Sequence, residues 1–166
     1  MRREPRRAYM KTNSIQPEAV DYFTERSKEI VQFCLRESKG LFARWPVPTL
    51  FAYVFFRLVD RTVFVLRDNG RITAVASAWG RPETEIRAGR TFGWKRSQDG
   101  ADAVFIAEVI GQRRHLPRLA RLLSKRLPGW EKKKVFTMRS EPDRPMDRKL
   151  VELRPELFKR MLNGST

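Results

Sequence analysis

The chain has 166 residues, 41% of them hydrophobic and 11% aromatic, which is enough to bury one core and predicts a single domain. Its 35 Lys and Arg stand against 19 Asp and Glu, a formal charge of +16; that exceeds what solubility requires and points to an anionic partner, whether nucleic acid, an anionic membrane surface or an acidic protein. One Cys and one His exclude an internal disulfide and a metal centre of the usual ligand types, and no apolar run approaches the roughly 20 residues that span a bilayer.

Residues 1–13 carry Arg2, Arg3, Arg6, Arg7 and Lys11 against Glu4. They read as a basic N-terminal arm, either a solvated tail or one that docks on an anionic partner, ahead of a domain over residues 14–166. The arm has no apolar block of the secretory kind, so the chain is expected in a reducing cytoplasm. From Pro17 the spacing of Val20, Phe23, Ile30, Val31, Cys34 and Leu35 predicts a helix that stops near Gly40, with Cys34 a buried, inert thiol on its apolar stripe. A second helix over residues 48–59 is apolar nearly all round and is expected inside.

Thr62 to Leu66 and Arg71 to Trp79 read as two strands joined at Asp68, Asn69 and Gly70, and Asn-Gly is a strong hairpin signal. Residues 80–100, rich in Gly, read as a loop or an irregular strand around Thr91 to Lys95. Ala103 to Ile110 is a short continuous apolar run, as in a strand buried on both faces. The next helix turns Leu116, Leu119, Ala120, Leu123 and Leu127 inward, accepts Pro117 in its first turn and stops at Pro128 and Gly129. Val135 to Met138 makes a last strand and Arg154 to Leu162 a short terminal helix.

Two helices, a hairpin, then strand, helix and strand describe an α+β domain: a central, mostly antiparallel sheet with one parallel strand-helix-strand crossover. This order resembles the GNAT acyltransferase fold over most of residues 17–140, which implies a splayed strand pair with an open cleft. Trp45, Pro46 and Val47 entering a helix, with Phe105 and Ile106 in the later strand, are similar to segments of the bacterial toxin-activating lysine acyltransferases, a GNAT-like family that takes its acyl group from acyl carrier protein. The resemblance implies a catalytic His three residues before the Trp and a catalytic Asp directly after the Phe-Ile pair. Here Phe42 and Ala107 stand at those positions, and neither can move a proton.

Glu108 is the next acid along, but a one-residue step in a regular strand sends its side chain to the opposite face. The wider GNAT family holds the coenzyme A pyrophosphate on backbone amides of a glycine-containing turn. The matching turn here runs Gln112, Arg113, Arg114, His115, Leu116, Pro117, where Gln112 fits, His115 adds bulk and Pro117 removes an N–H; Gln112, Arg113 and Arg114 could still meet phosphates with their side chains. His115 is either a general base oriented by Glu108 or a partly exposed residue of the first helical turn.

The strongest charge signal is a stripe. Arg114, Arg118, Arg121 and Lys125 line one helix face opposite the leucines, and Lys132, Lys133 and Lys134 extend it. From Arg113 to Lys134 nine basic residues face Glu131 alone. Arg predominance suits phosphate contacts, and no base-reading motif accompanies it, so the contact expected is non-specific. The sequence therefore predicts a non-catalytic, GNAT-like binding or assembly protein on nucleic acid or another polyanion, in the cytoplasm or inside a nucleoprotein particle such as a phage virion assembled there. The alternative is an active acyltransferase using acyl carrier protein or acyl-CoA through Glu108, Gln112 and His115. No cofactor belongs to the first reading, and no metal to either.

Overall fold

The structure, a computed structural model, describes residues 17–91, 101–127, 129–141, 143–154 and 156. These form α1 (Pro17–Glu37), α2 (Val47–Val59), β1 (Val63–Asp68), β2 (Arg71–Arg81), a short α3 (Glu83–Arg87), β3 (Ala103–Gly111), α4 (Leu116–Arg126), β4 (Lys134–Glu141) and β5 (Arg144–Leu153). The five strands make one sheet in chain order, antiparallel everywhere except between β3 and β4. Helix α4 lies between those two parallel strands in sequence, which is the mixed α+β arrangement expected of a GNAT-like domain.

The β1–β2 hairpin turns where the sequence predicts it. Asn69 and Gly70 hold φ of 49° and 76° with Asp68 opposite Arg71, a two-residue turn with both central residues left-handed. Leu119, Leu123 and Leu127 cover one face of the sheet with Phe64, Val104, Ile106 and Val135. The alanines at 74, 76 and 78 in β2 give the helix room to approach. Each leucine buried in this way contributes roughly 1.5–3 kcal/mol. The other face packs on α1 and α2 through Ile30, Val31, Cys34, Leu50, Val54, Val75 and Ile110, and next to them lie Trp79, Ile86, Phe105, Ala107 and Phe136.

Several expectations change. Helix α2 is not buried all round: Leu50, Val54 and Arg57 face inward while Val47 and Phe56 are 52% and 44% exposed, because only one side of it meets α1 and β1. Within residues 80–100, β2 runs on to Arg81 and Pro82 caps α3; Thr91 is outside regular structure, and the strand expected as far as Lys95 otherwise lies outside the described residues. Strand β4 is longer than expected and is followed by β5, which the sequence reading does not contain. The basic arm and all but Arg154 and Glu156 of the expected terminal helix also lie outside the described residues.

Candidate functional site

Strands β3 and β4 pair over only four positions, from Ala103 opposite Lys134 to Ile106 opposite Thr137. The Thr137 hydroxyl donates to the Ile106 carbonyl at 2.8 Å and closes the ladder there. Beyond it β3 stays with β2 and β4 with β5, so the parallel pair parts after Ile106 and Thr137.

At that point β3 contains a bulge. Ser77 of β2 faces Glu108 and Ala78 faces Ile106, which leaves Ala107 as an extra residue on β3. The extra residue resets the alternation, so Ala107 and Glu108 line the same cavity instead of opposite faces. The one-residue rule that sent Glu108 away from the Ala107 side does not apply across a bulge. Gly111 ends the strand with φ of 145°, and a Cβ there would stand 2.8 Å from that of Ala74, so this position requires glycine.

The cavity, about 190 Å³, lies against Phe42, Trp45, Tyr53, Phe105, Ala107 and Met138, with Thr91, Glu108 and Arg148 completing it. Phe42 and Ala107, the two positions at which the sequence resemblance implies a catalytic pair, both line this cavity, and both are apolar. Phe42, Trp45 and Tyr53 hold one another at centroid distances of 5.2 to 5.4 Å. Trp79 donates its indole N–H to the Thr91 carbonyl at 2.8 Å. The Arg57 guanidinium is buried over the faces of Trp79, at 4.3 Å, and Tyr53, at 5.5 Å.

The polar end of the cavity is a pair. Arg148 of β5 donates through Nη2 to Glu108 at 3.1 Å and to the Ala107 carbonyl at 3.3 Å, bridging β5 to β3 across the parted strands. Burial raises the Glu108 carboxyl above its ordinary value, and the nearby Arg148 charge opposes that shift without cancelling it. Tyr53, hydrogen-bonded to Ser77, is pushed up to about 12 by burial. Cys34 is likewise pushed up to about 12, by burial first and the Glu108 charge second, which makes it a poor nucleophile.

The other residues singled out in the sequence stand elsewhere. Arg113 to His115 form a single 3₁₀ turn after Gln112 and run into α4, where Pro117 sits in the first turn. None of Gln112, Arg113, Arg114 and His115 lines the cavity. His115 Nε2 accepts a hydrogen bond from Arg114 Nε at 3.2 Å, while Glu108 is paired with Arg148.

On the outer side of α4, Arg118, Arg121, Lys125 and Arg126 are exposed while Leu119 and Leu123 are buried. Two members of the wider stripe have acidic partners from distant parts of the chain: Arg118 meets Asp68 of the hairpin at 3.1 Å, and Lys134 meets Glu83 of α3 at 2.9 Å. Arg113, Lys125, Arg126, Lys132 and Lys133 form no ion pair with a described residue. No group of three His, Cys, Asp or Glu that could hold a metal occurs among the described residues, and no described helix is long and apolar enough to cross a membrane.

No family model and no curated protein matches the chain. Among solved structures, it is similar to an N-acetyltransferase from Staphylococcus aureus Mu50 at 11% identity and a TM-score of 0.36, over 72% of this chain and 77% of that one.

Proposed function

We propose that the chain is a non-catalytic, strongly basic protein that uses the outer face of α4 and the segment through Lys134 to bind the backbone of nucleic acid, alone or within a nucleoprotein particle such as a virion. The observation that carries this reading is the exposed cationic face of α4, on which Lys125 and Arg126 form no ion pair with a described residue. A face kept for solubility alone would interleave both signs. Arg114, Arg118 and Arg121 suit forked contacts to phosphate, and Lys125, Lys132, Lys133 and Lys134 add point charges. Backbone contact of this kind is read in the salt dependence of affinity. Exchanging Arg121 and Lys125 together for Gln should flatten the slope of log affinity against log salt by about 1.8 on duplex and about 1.4 on single strands, and weaken all sequences alike. Anisotropy over a salt series checks this; an unchanged slope would remove nucleic acid and leave an acidic protein as the partner.

One observation favours the runner-up, an acyltransferase fed by acyl carrier protein or acyl-CoA. The bulge brings Glu108 into the cavity as a carboxyl with a raised pKa, a property of general bases. Against it stand the ion pair to Arg148 and the separate position of Gln112, Arg113, Arg114 and His115. Acyl transfer that disappears in Glu108→Gln would decide for the enzyme.

A further inference from the structure

In a chain with 33% charged residues, a surface helix is expected to carry several charges, yet α2 has one in 13 residues. That one, Arg57, is buried over the rings of Trp79 and Tyr53. The exposed residues of α2 are Val47, Pro48, Thr49, Ala52 and Phe56, all uncharged. Aromatic rings then carry the surface across to α1. Tyr22 meets Phe23 at 5.6 Å between centroids, Phe23 meets Phe55 at 6.3 Å, and Phe55 meets Phe51 at 6.3 Å and Phe56 at 5.7 Å. None of these five rings is fully buried, and Tyr22 is 57% exposed. Clustered rings on a patch depleted of charge are the mark of the centre of a protein–protein contact.

Charge selects the occupant. Exposed Asp21 and Glu25 stand next to Tyr22 along α1, and α1 as a whole has five acidic against three basic residues, so neither a polyanion nor an anionic bilayer is attracted to this side. The cationic face of α4 lies on the opposite side of the sheet. Two copies of net charge +16 repel each other, and the side formed by α1 and α2 is where they can approach with both α4 faces turned away. We propose that the ring cluster on α1 and α2 is the contact between two copies of this chain, related by a two-fold axis. The two helices are about 31 and 20 Å long and about 10 Å wide, a footprint of about 500 Å² per copy. The total of about 1,000 Å² is the lower bound for a specific interface, so the dimer is reversible. It is independent of nucleic-acid binding and leaves both cationic faces open.

Sedimentation velocity on the nuclease-treated full chain, from sub-micromolar to hundreds of micromolar, should show a monomer–dimer equilibrium. Salt screens the repulsion between the copies and should tighten the dimer, the reverse of its effect on polyanion binding. Ala52→Glu puts an unpaired carboxylate into the contact from each copy and should weaken it at least about tenfold. Circular dichroism of the variant should stay native, because Ala52 is exposed in the monomer. Tyr22→Ser should weaken the dimer too, and it decides alone if Ala52→Glu does not fold. Exchange of Arg121 and Lys125 for Gln, on the far face, should not weaken it. A chain that stays monomeric throughout, or a dimer that neither α1 nor α2 variant weakens, would overturn the proposal. So would a dimer that dissociates as salt is added, since charge and not the rings would then hold it. Flotation with phosphatidylserine vesicles that Ala52→Glu abolishes would overturn it in favour of a membrane.

Discussion

Glu108 shows how much a single residue's role depends on one neighbour. Had β3 been regular, its carboxylate would point away from the Ala107 side; the bulge turns it into a cavity wall where it is largely buried, and burial pushes its proton affinity up. A carboxyl whose folded pKa lies above its unfolded value contributes stability that is fully present below the ordinary carboxylate range and is lost as pH rises through the folded value. Glu29, which Arg67 grips with two hydrogen bonds of 2.5 and 2.6 Å, is shifted down and behaves in the opposite sense, losing its contribution as pH falls. Subtracting the stability of wild type from that of Glu108→Gln isolates the first effect. The difference should be flat below about pH 4.5 and rise in favour of the variant as pH increases through the raised pKa. Urea midpoints from pH 4 to 8 check the sign, and a difference that falls instead would mean that the Arg148 attraction outweighs burial.

Helix α4 has two sides whose substitutions should separate cleanly. Leu123 is buried against Val104, Ile106 and Val135 beside a small existing void of about 10 Å³. Leu123→Ala should therefore cost about 2–5 kcal/mol in urea unfolding. The paired Gln exchange of Arg121 and Lys125 on the opposite, exposed side should change stability by about 0.5 kcal/mol or less per site. This two-sidedness was legible in the sequence because leucine spacing and helical period coincide, as was the hairpin, because Asn69-Gly70 admits few other conformations. Strand β5 was not legible: Arg144 to Leu153 carries five charged residues and no strict polar/apolar alternation, and its one clue was the turn-forming Pro142-Asp143 ahead of it. That omission also hid Arg148, hence the polar end of the cavity. The bulge escaped for a different reason. Sequence alternation counts residues, and a bulge adds one residue without any marker of its own.

At the scale of the whole molecule, a charge of +16 sets up a field that favours any polyanion, so the question is which cations make contact and which only contribute to the field. Arg118 offers a way to tell them apart, because the fold gives it a competitor in Asp68, on the turn of the β1–β2 hairpin. Both side chains are about half exposed, 45% and 50%, and an exposed pair of this kind adds about 0–1 kcal/mol to stability. Its greater effect is to hold Arg118 on an internal carboxylate that phosphate must displace. Asp68→Asn keeps a turn-forming side chain next to Asn69-Gly70 and frees the guanidinium. If Arg118 belongs to the interface, the variant should bind duplex more tightly at low salt, with a slope of log affinity against log salt steeper by up to about 0.9. Glu25→Gln is the matched control: it raises the net charge by the same amount, but from α1, on the far side of the sheet from α4. Field alone would move both variants equally, whereas contact through Arg118 steepens the slope of Asp68→Asn and leaves that of Glu25→Gln where it was.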